Sequence, residues 1–143
     1  MAERPYEELV IHDKLILCLK QTVYRYPNEK YPYLKTYANH PDKHRGIYSA
    51  NNGNYYYPDL VVIDLRNEKI IMIAEVETIS TLNEQEAEEW KNFSYLSSHF
   101  ALFYPKGYEF KIRQLCKNIK IDSFLEYSEI EGKFKLEKKR IIF

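Results

Sequence analysis

The apolar positions near the start of the chain repeat with the period of a helix. Over 6-YEELVIHDKLILCLKQTVY-24, Leu9, Ile16 and Leu19, or alternatively Val10, Leu17 and Cys18, fall on neighbouring sides of a 3.6-residue turn, with no internal Gly or Pro. Pro5 suits the first turn and Pro27 stands beyond the end. Glu8 and His12, four apart, share one face of this helix. The period changes at 58-PDLVVIDLRNEKIIMIAEVET-78, where two Val- and Ile-rich runs joined by Arg66-Asn67-Glu68 predict a β-hairpin covered on both faces. Thr81 followed by Glu84 has the form of a capping box, so a helix is expected there, through Trp90, Phe93 and Leu96 toward residue 98, with Trp90 and Phe93 in the core. The run 100-FALFY-104 reads as a short buried strand ended by Pro105-Lys106-Gly107, and a helix fits 108–118. The tail predicts a strand near 119–127, a turn at Glu131-Gly132 and an alternating strand over 133–143, with Phe134 and Leu136 on one side. This order of elements predicts an α/β fold, a central mixed β-sheet flanked by helices.

Residues 27–57 interrupt the pattern. They hold seven of the fourteen tyrosines, three of the six prolines and two of the four glycines, and so read as a Tyr-rich loop insertion. A short helix near 32–38 would shorten it, and Tyr55, Tyr56 and Tyr57 are expected to begin a strand. Within it, 40-HPDKHR-45 offers His40, Lys43, His44 and Arg45 for phosphates, and rings such as Tyr55 for base stacking. The same rings equally suit a packing layer over the sheet.

A chain of 143 residues, 45% hydrophobic, is the size of one domain, with 119–143 as a C-terminal β extension. Cys18 and Cys116 lie in apolar helical patterns without partner spacing and read as thiols of a reducing compartment. No window is apolar enough to span a membrane, and the N-terminus resembles neither a signal nor a transit peptide, so a cytoplasmic protein without a membrane partner is expected. The net charge is zero, but 9 acids and 3 bases fall in residues 58–100, between basic flanks. Either 84-EQEAEE-89 is a solvated helix face, or a metal site lies in the middle with a polyanion held around it.

The acidic residues of the hairpin bear on the second of these. Glu75 and Glu77 sit two apart on one strand and project to the same face, and Glu75 interrupts an otherwise apolar run. Asp59, on the other strand, meets Glu75 or Glu77 only if the loop is odd or a bulge intervenes. Taken singly, Asp59 could cap the strand start and Glu77 could be a solvated strand end. Gathered together, three carboxylates need a divalent cation, a bound Arg or Lys, or a proton. Hard oxygen ligands suit Mg²⁺ or Mn²⁺, and no Cys/His cluster stands at zinc spacing.

The stretch 58-PD-59, fifteen residues, then 75-EVE-77, in a helix, hairpin, helix, strand order, resembles the PD-(D/E)xK nuclease superfamily over roughly residues 6–120. The run 75-EVET-78 with Trp90 and 102-LFYPKG-107 also resembles small members that share it. The resemblance implies a restriction-endonuclease-like core and metal-dependent hydrolysis of phosphodiester bonds in DNA, with Asp59, Glu75 and Glu77 at the catalytic positions. It implies Asp59 and Glu75 as metal ligands, with Glu8 completing the shell from the first helix and His12 beside it; His12 could equally be a half-buried, satisfied histidine. Glu77 stands where the family carries lysine, and Lys91 on the following helix is the candidate for the missing cation. The alternative is a nuclease fold without turnover, serving as a nucleic-acid-binding or protein-interaction module. A homodimer is compatible with either.

Overall fold

The computed structural model describes residues 4–141. Pro5 opens helix α1 (Tyr6–Gln21), with Glu7 and Glu8 in its first turn and Lys20 in its last, charges that complement the helix dipole. Its buried residues are His12, Leu15, Ile16 and Leu19. Leu9 and Leu17 stay exposed, so the Ile16–Leu19 side is the one that packs.

Residues 27–57 are not an insertion loop. Leu34–Ala38 form strand β1, with Leu34, Thr36 and Ala38 buried. It runs antiparallel to β4 (Leu60–Asp64), Leu34 opposite Asp64 and Ala38 opposite Leu60. The short helix expected near 32–38 is therefore a strand: its inward set repeats every second residue, and a polar Thr36 at the middle position hides that period. Tyr55–Tyr56 (β3) pair with Ile47–Tyr48 (β2) in a small separate hairpin rather than leading into β4. Pro58, which lacks an N–H for a continuing ladder, stands between them.

Strand β5 (Lys69–Val76) returns beside β4 after a four-residue turn, 65–68. Asp64 holds that turn by accepting from the Arg66 backbone N–H at 3.0 Å and from its guanidinium at 2.8 Å. The ladder then slips: Ile63 pairs with Ile70 but Val62 with Met72, leaving Ile71 as one extra residue in β5. This β-bulge supplies the odd count that the hairpin needed, since the next pair beyond Leu60 and Ala74 is Asp59 with Glu75.

Strands β6 (Phe100–Pro105) and β7 (Ser123–Ile130) follow in parallel, and β8 (Lys133–Lys139) closes antiparallel, for a sheet order β1-β4-β5-β6-β7-β8. A 3₁₀ turn (Ile79–Thr81) and α2 (Glu84–Leu96) link β5 to β6, and α3 (Glu109–Leu115) links β6 to β7. Helix α1 packs on the face carrying Leu60, Val62, Ala74, Val76 and Phe103. Trp90 and Phe93 of α2 and Ile112 of α3 pack on the opposite face, against Val61, Ile63, Ile73 and Leu102. The fold is thus α/β, a six-stranded mixed sheet with helices on both sides.

Some boundaries shift for local reasons. Thr81 does not cap α2; it forms a reciprocal box with Thr78 around the 3₁₀ turn, and the Asn83 side chain caps α2 by accepting from Glu86 N at 2.9 Å. The strand expected from 119 begins at Ser123, because the Asp122 carboxylate turns aside to accept from Phe100 N. Glu131 and Gly132 form the tail turn with φ of 51° and 78°, a conformation suited to a two-residue hairpin, and Phe134 and Leu136 pack on the α1 side as expected. The last two residues of the tail strand expected over 133–143 lie outside the described residues. Among the described residues no helix is long and apolar enough to cross a membrane.

Candidate metal centre

Three chain segments meet at Asp59. The β1–β4 pairing ends with Ala38 beside Leu60, which sets residues 39–40 next to 58–59. Asn39 fixes that approach: its N–H donates to Asp59 O, its Nδ2 donates to Pro58 O and Arg45 O, and its Oδ1 accepts from the amides of His44 and Arg45. From the other side, α1 brings its buried His12.

The backbone of Asp59 and the Glu75 side chain are clamped together. Asp59 N–H donates to Glu75 Oε2 at 2.6 Å, while Asp59 Oδ2 accepts from Val76 N–H at 2.7 Å. The other Asp59 oxygen, Oδ1, faces two imidazoles, with His12 Nε2 at 3.2 Å and His40 Nε2 at 3.1 Å. The two rings meet edge to face, centroids 4.7 Å apart. On its far side the His12 ring meets Asp13 Oδ1 through Nδ1 at 2.9 Å. His12 is completely buried and its Nε2 makes no hydrogen bond, because Asp59 Oδ1, although near, lies off the direction in which that nitrogen points.

These surroundings drive the acids apart. Burial works to raise Asp59, but the charge of the His12 and His40 imidazoles beside it outweighs burial and holds the carboxyl well below the usual range. Glu75 goes the other way: burial, then the charges of Asp59, Glu77 and Glu89, push it well above the ordinary carboxylate value. Glu77 is pushed up to about 8 by burial and by Asp59, against the pull of Thr81, Arg4 and Trp90. His40 is raised above the usual imidazole value by its contact with Asp59, against the effect of burial.

Each residue expected at the site can now be placed. Asp59 and Glu75 are together. Glu77 has donors of its own: Trp90 Nε1 at 2.8 Å on Oε1, the Thr81 hydroxyl at 2.5 Å on Oε2, and Arg4 Nη2 at 3.6 Å. Glu8 does not join the centre; one turn before His12, its carboxylate accepts from the amide and hydroxyl of Ser80 at 2.9 and 2.8 Å. Lys91 lines a surface cleft with Glu84, Glu88 and residues after α3, because its place on α2 turns it outward from the Trp90 face. The cation that reaches the acids is Arg4, which also donates to Thr78 Oγ1 at 3.1 Å and Val76 O at 3.3 Å.

No family model matches the chain, and no curated protein matches it. Its fold is similar to the crystal structure of YaeQ protein from Pseudomonas syringae, with a TM-score of 0.46 and 18% identity. That similarity covers 89% of this chain and 58% of the other, so the chain spans under two thirds of that protein's length.

The residues expected to meet nucleic acid divide into two kinds. Arg45 is committed, paired with Glu68 at 3.0 Å and stacked over Tyr37 at 5.6 Å. Lys43, His44 and Tyr55 are exposed, with Lys43 4.4 Å above the Tyr57 ring and Tyr55 against Tyr48 at 5.3 Å. Gly46 makes this surface possible, since a Cβ there would come within 3.0 Å of the Tyr57 ring. Tyr24, Tyr26, Tyr31 and Tyr33 instead pack around the α1-side core.

Arg4, Asp13, Asn39 and His40 are the members of the site that the motif did not indicate. No local spacing joins them; the signal is the pair of histidines that precede the acidic hairpin, and it takes the β1–β4 register to bring His40 to Asp59.

Proposed function

We propose that the protein is a divalent-metal-dependent nuclease that hydrolyses phosphodiester bonds in DNA, with Asp59 and Glu75 as its acidic pair and Mg²⁺ or Mn²⁺ as the ion. The observation that carries this reading is the bulge-determined register, which aligns Asp59 with Glu75 at one end of the buried hairpin. Burial, with the charges of Asp59, Glu77 and Glu89, raises the Glu75 carboxyl well above its ordinary value. Such a centre meets the electrostatic condition for taking up a cation. Asp59 and Glu75 fit such an ion as oxygen donors, whereas Glu8, held by Ser80, does not extend the set. When bound, the ion would polarise a phosphate oxygen and lower the pKa of a water.

The chain's own groups supply the rest. Val76 N–H orients the Asp59 carboxylate. Lys43, His44 and Tyr55 offer charge and a ring to a strand arriving from the β2–β3 side. Incubating the purified protein with linear, circular and branched DNA and Mg²⁺ or Mn²⁺ tests the reading. Cleavage is expected with the wild type and not with Glu75→Ala, and cleavage undiminished in that variant overturns the assignment.

A second reading, a nucleic-acid-binding module without turnover, is favoured by one observation. Glu77, at the position of the motif lysine, is fully engaged by Trp90, Thr81 and Arg4 in a structural role. Salt-dependent DNA binding with no cleavage under either ion supports it.

A further inference from the structure

We infer that His12, His40 and Asp59 form a three-donor site for one transition-metal ion, with Asp13 orienting the His12 ring. The inference deepens the nuclease reading by changing the class of ion it would use, and shares Asp59 with it, but it can be tested without any cleavage.

Asp13 Oδ1, 2.9 Å from His12 Nδ1, is an acceptor and so favours the proton on that nitrogen. A neutral ring then presents a lone pair at Nε2, which is buried, makes no hydrogen bond and stands 3.2 Å from Asp59 Oδ1. Two acceptors do not settle at that distance inside a protein unless something positive lies between them or the ring carries a second proton. A carboxylate behind one imidazole nitrogen, with the other nitrogen directed at a cation, is the arrangement that orients a metal-binding histidine.

His40 supplies the second nitrogen. Its Nε2 is 3.1 Å from the same Asp59 oxygen, so that oxygen has both imidazole nitrogens as neighbours. Bonds of about 2.1 Å at angles between about 90° and 110° place adjacent donors on one ion roughly 3.0–3.4 Å apart. The observed separations of 3.1 and 3.2 Å fall in that interval. One ring nitrogen of His12 and one of His40 also lie within 4.8 Å of each other.

The centre has a way in. His40, Asp13 and His44 line a groove of about 440 Å³ between α1 and the segment after β1, and the His40 side chain is one-quarter exposed. Water or a phosphate oxygen could reach an ion from that side without passing through the core. Two imidazoles and one carboxylate suit Zn²⁺, Co²⁺, Fe²⁺ or Mn²⁺, whereas Mg²⁺ favours oxygen ligands alone. His12 and His40 lack local zinc-type spacing in the sequence, and the fold brings both to Asp59 instead.

Titrating the metal-free full chain with Co²⁺, followed by its visible absorption, and with Mg²⁺ by calorimetry tests the site. One Co²⁺ per chain is expected, bound at least about tenfold more tightly than Mg²⁺. His40→Ala should weaken Co²⁺ at least tenfold, and Asp13→Asn should weaken it by about 10–100-fold. Both side chains are partly exposed, and circular dichroism verifies that the variants fold. No Co²⁺ spectrum, or one undiminished in both variants, overturns the inference. Co²⁺ binding that depends on His40 in a protein that cuts no DNA supports the site and removes the nuclease reading. Mg²⁺-dependent cleavage that His40→Ala leaves intact, with no Co²⁺ spectrum, does the reverse.

Discussion

Trp90 Nε1 donates a 2.8 Å hydrogen bond to Glu77 Oε1, and both side chains are almost wholly shielded from water. The bond joins α2 to the end of β5 and accounts for an acid inside an apolar layer. Replacing Trp90 with Phe keeps a ring but leaves that oxygen without its donor and opens some volume. A loss of about 2–4 kcal/mol in stability is expected. Urea denaturation followed by far-ultraviolet circular dichroism measures it, since the variant removes the only tryptophan. A loss below about 0.5 kcal/mol would show that Glu77 finds its partners elsewhere.

Arg4 binds the N-terminal segment to the same strand end through Val76 O, Thr78 Oγ1 and Glu77. Arg4→Met should cost about 1–3 kcal/mol. In a double-mutant cycle with Glu77→Gln, a coupling of about 1 kcal/mol is expected. Strict additivity of the two changes would separate Arg4 from Glu77 energetically.

The opposed acid shifts set the sign of the pH dependence. A carboxyl raised on folding, as Glu75 and Glu77 are, contributes fully below its ordinary value of 4.5, and that contribution falls as pH rises, for Glu77 until about 8. His40, raised above 6.5, likewise loses its contribution as pH rises through its folded value. Asp59, lowered from 3.8, contributes above that value and loses its share in stronger acid. Metal-free protein should therefore lose stability steadily from about pH 5 to about pH 8, and Glu75→Gln should flatten the decline. Urea midpoints in the presence of a chelator provide the profile, and a wild-type curve that climbs over this range contradicts the assignment.

At the aromatic surface, Lys43→Ala and Tyr55→Ala should each weaken single-stranded DNA binding, Tyr55→Ala by about 5-fold or more. Arg45→Ala should have the smaller effect, because Glu68 and Tyr37 already occupy its guanidinium. Fluorescence anisotropy at two salt concentrations separates the two residues. Equal losses for Lys43 and Arg45 would mean that Arg45 leaves Glu68 on binding.

Legibility followed the strength of periodicity. The first helix, the Val- and Ile-rich hairpin, Trp90 and Phe93 as core, and the buried strand after them each carry a repeat strong enough to read. Strand β1 does not, because its three inward positions are Leu34, Thr36 and Ala38, a weak apolar signal among tyrosines that fit strand, stack or loop equally well. The Asp59–Glu75 alignment could be foreseen from one hairpin. Glu8 was chosen over His12 because nothing local tells which turn of α1 faces the sheet end. His40 needed three segments to be placed at once. Lys91 depended on which side of α2 is buried, and Trp90 claims that side.

Ile71 gives the site an arithmetic character. Asp59 and Glu75 are sixteen positions apart along the chain, and their meeting depends on the parity of what lies between them. Deleting an uncharged residue of β4 such as Val62, with the bulge kept, would set Asp59 opposite Ala74 and turn the two carboxylates to opposite faces. Deleting Ile71 itself would instead leave a regular ladder with Asp59 still opposite Glu75. The acidic end of the molecule is therefore vulnerable to a change in length that no inventory of its side chains would register.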